Sequence, residues 1–166
     1  MLKIYESGMY FELPKTKTFP IEQSLTYQRV NTRGVSAVEF ITMGPRQDIL
    51  FVEAKTSAPD KEDGESLQEF VKSIGRKFVH SLEVCYALLA KALPDAEPSF
   101  PDTLQRSMQQ KPVIKLLLIV NKLSRAHCLD LQDALRLQLR AEMRIWHMNI
   151  FVLNKETALK KNWIKG

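Results

Sequence analysis

Glu53 and Lys55 close the apolar run Asp48-Ile49-Leu50-Phe51-Val52-Glu53-Ala54-Lys55. Strand side chains alternate faces, so a Glu-x-Lys triplet sets its carboxylate and ammonium on one face, one step apart. Such a pair at a strand end can hold a divalent metal and orient a water molecule. A preceding apolar run, Val38-Glu39-Phe40-Ile41, carries its own carboxylate. Two acids and a lysine on a β-hairpin suit metal-assisted cleavage of a phosphodiester. The alternative for Glu53 and Lys55 is an ion pair at a sheet edge, and for Glu39 an exposed strand residue.

The elements that must position these residues follow from pattern. Residues 2–13 alternate in short apolar segments that predict edge strands. Thr18 to Val30 reads as a short helix, with Pro20 in its first turn and Ile21 and Leu25 on one face. Strands are expected at 36–42 and 48–56, joined by the turn Met43-Gly44-Pro45-Arg46-Gln47. Ala58 to Glu65 is an acidic loop, whose Asp60, Glu62, Asp63 and Glu65 lack EF-hand spacing. Ser66 caps a long amphipathic helix to Leu93, with Leu67, Phe70, Val71, Ile74, Phe78, Leu82, Cys85 and Leu89 on its apolar face. Residues 94–112 hold Pro94, Pro98, Pro101 and Pro112 and predict a loop insertion. Val113 to Val120 reads as a central strand, Asp130 to Trp146 as a helix, Asn149 to Leu153 as a strand, and Lys155 to Trp163 as a closing helix. The order predicts one α/β domain over 1–166 around a mixed sheet.

This order, with the Glu-x-Lys strand and its acid-bearing partner, resembles the PD-(D/E)XK nuclease superfamily, whose restriction-endonuclease-like fold is a mixed central β-sheet flanked by helices. The likeness covers most of the chain through element order. Its residue-level core is 36–57, where the two strands are also similar to those of bacterial proteins sharing that fold. The resemblance implies that Glu53 and Glu39 are metal ligands and that the Ala54 carbonyl completes the metal shell. It implies that Lys55 positions the attacking water or stabilises charge on the phosphorus. It also places Glu22, from the first helix, beside the metal. Two hard oxygens plus waters suit Mg2+ or Mn2+. The pattern's usual earlier aspartate is Glu39 here, and Val38 stands where proline is usual.

Register decides whether the acids meet. Asp48 rivals Glu39, but parity along the strand turns it away from Glu53. If Thr42 pairs with Asp48, Glu39 lies diagonal to Glu53, roughly 7–8 Å away. A loop pairing Thr42 with Gln47 would turn Glu39 aside. An odd loop length or a bulge is therefore expected.

Arg136, Arg140 and Arg144 recur every four residues, as do Lys72 and Arg76. Each set predicts a basic helix stripe, either a solvated face or a phosphate track. The net charge of +5 mildly favours an anionic partner, and the nuclease resemblance implies nucleic acid, DNA ahead of RNA. Cys85 and Cys128 are too few for a disulfide scaffold, which points to reduced thiols and a cytoplasmic setting. No apolar run approaches a bilayer span, and the N-terminus lacks a signal-peptide core. His80, His127 and His147 have no metal-ligand spacing, and no Walker A, Gly-x-Gly-x-x-Gly or Gly-x-Ser-x-Gly element occurs. The resemblance admits a homodimer, although no residue marks an interface. It leaves two alternatives to catalysis: a nuclease-like module that binds nucleic acid or protein without turnover, or a plain interaction protein.

Overall fold

The two longest apolar runs become the two central strands. In a computed structural model, which describes residues 1–94 and 96–165, β5 (Ile49–Lys55) and β6 (Ile114–Val120) lie parallel. Almost every residue of both is buried. Their runs are continuous rather than alternating because both sheet faces are covered.

The chain opens with a hairpin of β1 (Leu2–Glu6) and β2 (Met9–Leu13). β3 (Thr18–Phe19), β4 (Phe40–Met43) and β5 are antiparallel neighbours, and β7 (Asn149–Asn154) lies parallel to β6 on the other side. The result is a mixed five-stranded sheet in the order β3-β4-β5-β6-β7. The helices are α1 (Leu25–Val30), α2 (Gly64–Leu89), α3 (Asp102–Gln109), α4 (Arg125–Gln138), α5 (Arg140–Trp146) and α6 (Lys155–Lys160).

Two cores flank the sheet. On one face Phe19, Ile41, Phe51, Leu116 and Leu118 pack with Ile74, Phe78 and Leu82 of α2 and Leu131 and Leu135 of α4. On the other, Phe40, Leu50, Val52, Ala54, Leu117 and Ile119 pack with Phe11 of the β1–β2 hairpin and Ala158 of α6. Phe11 and Phe40 meet edge to face at 5.2 Å. The molecule is thus α/β, with a mixed sheet between helices. No described helix is long and apolar enough to cross a membrane.

Several expected boundaries move. The helix expected over 18–30 is three pieces. Thr18 and Phe19 pair with Thr42 and Ile41, and Ile21–Gln23 form one 3-10 turn. Ser24 then caps α1, its hydroxyl accepting from the Tyr27 amide. Ile21 is buried while Leu25 is half exposed, so they do not share a face. The expected 94–112 loop contains α3: Pro101 sits just before its first residue, where proline does not interrupt a helix, and Leu104 and Met108 bury one face. The late helix starts at Arg125, capped by Ser124 rather than Asp130. It stops at Leu139, whose side chain is buried, and α5 follows. The long helix is capped by Asp63 rather than Ser66, and residues 36–39 stand outside β4.

Candidate functional site

The β4–β5 turn sets the register. The Gly44 amide donates to the Asp48 carbonyl at 2.8 Å, and the Gln47 amide to the Gly44 carbonyl at 3.1 Å. Gln47 takes a left-handed φ of 63°. This leaves an odd loop of Pro45, Arg46 and Gln47, a common three-residue hairpin form. Thr42 pairs with Leu50, not with Asp48 as in the expected register, and the last pair is Phe40 with Val52. The Glu39 amide also donates to the Val52 carbonyl, at 3.1 Å. The expected odd loop length is therefore present.

Asp48 is left behind, as parity required. Its Oδ2 accepts from Lys115 Nζ at 2.5 Å. Asp48 lies beside Leu50, whose side chain belongs to the second core.

Glu53 is fully buried. Its Oε1 accepts a hydrogen bond from Lys77 Nζ at 2.8 Å and forms an ion pair with Lys55 Nζ at 2.7 Å. Its Oε2 is buried and has no hydrogen-bond partner among the described residues. An isolated buried carboxylate is expensive, so the two ammonium groups stabilise it strongly. Burial alone would lower the Lys77 ammonium. The charge of Glu53, the hydrogen bond to it, and the charges of Glu39 and Glu22 together hold it above its ordinary value.

Glu39 is also buried, and its carboxyl is pushed up from 4.5 to about 9. Burial is the largest cause, followed by a hydrogen bond with Glu22 and repulsion from Glu53, Glu22 and Glu6. At neutral pH Glu39 therefore keeps its proton, in a hydrogen bond with Glu22. Glu22 reaches this place from the 3-10 turn before α1, not from the helix itself. The expected residues Glu22, Glu39, Glu53 and Lys55 thus converge at the end of β5.

The Ala54 carbonyl already carries a hydrogen bond, from Ser7 Oγ at 3.1 Å. Ser7 lies between β1 and β2, and its own carbonyl accepts from Asn121 Nδ2 at 2.9 Å. The hairpin tip is thereby latched against the site and brings Glu6 near Glu39.

The basic stripes divide. Lys72 and Arg76 are exposed on α2, with Lys72 beside Glu69 at 3.6 Å. The expected stripe of Arg136, Arg140 and Arg144 is not continuous, because Leu139 ends α4 between them. Arg136 is half-buried and donates to the Ile150 carbonyl at 3.1 Å, so it serves β7 rather than solvent. Arg140 and Arg144 are exposed on α5.

Lys77 and Glu6 are the residues that sequence pattern missed. The signal for Lys77 was its phase. It lies three residues after buried Ile74 and four before buried Ser81, at the margin of the inward face of α2.

Among the described residues, no three His, Cys, Asp or Glu side chains stand as a preformed metal cage. The donor set still suits a hard cation. Glu39 and Glu53 supply carboxylate oxygens, and the unpartnered Glu53 Oε2 is an acceptor awaiting a positive partner. Mg2+ is commonly held by one or two carboxylates plus waters. Comparison of the chain with protein-family models, curated proteins and solved structures finds no match.

Proposed function

We propose that the protein is a metal-dependent nuclease of the PD-(D/E)XK kind, with a restriction-endonuclease-like fold. It would hydrolyse phosphodiester bonds in nucleic acid, DNA ahead of RNA. The observation that carries this reading is the convergence of Glu22, Glu39 and Glu53 with Lys55 at the end of β5. Glu39 and Glu53 would hold Mg2+ or Mn2+. When bound, the ion supplies Lewis acidity and an activated water. Lys55 is a third exposed, the more open of the two lysines on Glu53. From there its ammonium can orient the attacking water or balance charge developing on the phosphate oxygens. Glu22 hydrogen-bonds Glu39 and so orients that carboxyl. Lys72 and Arg76, exposed on α2, are candidate phosphate contacts.

A second reading is a nuclease-like module that binds nucleic acid or protein without turnover. It is favoured by Glu53 Oε1, which two ammonium groups already engage, as in a purely structural ion cluster. Cleavage of single-stranded, duplex and branched DNA with Mg2+ or Mn2+ separates the two, using wild type, Lys55→Ala and Glu53→Gln. The nuclease reading expects cleavage that chelator abolishes and that falls at least ~100-fold in either variant. Cleavage indifferent to chelator or to Lys55 would reject the mechanism, and binding without turnover would favour the second reading.

A further inference from the structure

We propose that Lys77 is the resident counter-ion of this site, which a divalent cation must displace from Glu53 before Glu39 and Glu53 can share that cation. The inference rests on the metal-dependent reading above and adds a competitor to it.

The geometry is specific. Lys77 Nζ reaches from α2 to Glu53 Oε1 at 2.8 Å, and Lys55 Nζ meets the same oxygen at 2.7 Å. Two like charges crowd one oxygen while Glu53 Oε2 has no donor. One ammonium is enough to neutralise one carboxylate, so the second is surplus to a simple ion pair. Lys77 is the more enclosed of the two, 17% exposed against 32% for Lys55. Lys77 also interacts electrostatically with Glu39 and Glu22, so it faces all three acids. A cation shared by those acids would have Lys77 beside it as a like charge. The lysine stem is flexible and its head is a compact point charge, so it can swing aside without unfolding α2. Lys77 is thus a positioning residue: it holds the acids together and sets how tightly a metal binds.

The test is a Mn2+ titration of the full chain, reading free Mn2+ by paramagnetic resonance at one fixed pH. Wild type, Lys77→Met and Lys77→Arg are compared. Removing a unit charge a few ångströms from a divalent ion should tighten binding by about tenfold or more. Lys77→Arg keeps the charge and can fork across both oxygens of Glu53, so it should bind Mn2+ no tighter than wild type. A merely structural lysine would give the opposite: Lys77→Met would scramble the acids and weaken binding. If Lys77→Met fails to fold by circular dichroism, Lys77→Gln takes its place with the same expectation. Unchanged or weaker Mn2+ binding in the neutral variant, with wild type still binding and cleaving, overturns the role of Lys77 and leaves the nuclease reading standing. Wild type and the neutral variant both failing to bind Mn2+, with no cleavage, overturns the nuclease reading itself.

Discussion

Replacing Glu39 by Gln keeps the size of a protonated carboxyl and its ability to donate to Glu22, but removes the ionisation. In the native protein this carboxyl sits at about 9, against 4.5 for an unperturbed one. Below pH 4.5 both the native and the unfolded chain hold the proton, and the group has no effect on stability. Between pH 4.5 and about 9 the native state keeps a proton that the unfolded chain has released. Stability must therefore fall as pH rises through that window, and the loss is complete above it. At about 1.4 kcal/mol per tenfold change in proton affinity, the ceiling is about 6 kcal/mol. Buried sites behave as if the local dielectric were near 20, so the observable loss should be roughly half, ~3 kcal/mol. For a chain of this length that is a difference in Tm of about 6–12 °C. Thermal melts by circular dichroism from pH 5 to 9.5 provide the assay. Wild type and Glu39→Gln should melt together near pH 5, and the variant should be the more stable by that margin at pH 9.5. Titrating groups that do not interact with Glu39 are common to both proteins and cancel. Parallel curves across the range would refute the crowding of acids around Glu39.

Two further perturbations probe the frame of the site. A methyl group at Gly44 would overlap Asp48 Oδ1 and press on Leu50, so Gly44→Ala should destabilise by roughly 1–3 kcal/mol, read as a drop in urea midpoint. Adding Asp48→Ala should recover part of it, and a neutral Gly44→Ala would show that the turn does not need this close approach. Glu97 accepts from the Thr26 amide at 2.8 Å and from Ser99 Oγ at 2.6 Å. Burial would raise its carboxyl, but these hydrogen bonds prevail and hold it below the ordinary range. The native state thus prefers Glu97 ionised, so its contribution is present above pH 4.5 and is lost as pH falls through the native value. Glu97→Ala should lower stability by about 1–3 kcal/mol at pH 7 and by less at low pH. An equal loss at both ends would refute the ionised hydrogen-bond network.

What could be read in the sequence was what alternation and burial dictate locally. β5 announced itself because a strand covered on both faces must be apolar throughout, which makes a terminal Glu-x-Lys conspicuous. Parity argued against Asp48, and the need for Glu39 to meet Glu53 called for an odd loop or a bulge, of which the odd loop is present. The illegible parts depend on distant pairing. Thr18 and Phe19 look helical until Thr42 and Ile41 give them strand partners. Leu139, a buried residue, interrupts a helix where the sequence holds neither glycine nor proline. Pro101 reads as a breaker until Leu104 and Met108 find the core and make it a helix start. Lys77 went unmarked, because nothing within the helix reveals that Glu53 lies across from it.

That last case carries the functional argument further than the motif does. A buried salt bridge is weak evidence of stabilisation, since well-packed apolar residues usually do as well or better. Here one fully buried carboxylate is met by two lysines, a second buried carboxyl beside it is kept protonated, and Glu22 and Glu6 add negative charge around them. Were the cluster only structural, replacing Glu53 and Lys77 together by Gln and Met would be neutral or stabilising and would leave any activity untouched. An arrangement poised for a cation differs in activity, not in stability. The double replacement should raise Tm, because desolvated charge is removed, and should abolish Mn2+ binding and cleavage together. A gain in stability bought with the loss of both activities is the signature of a site in which charge is retained for chemistry rather than for folding.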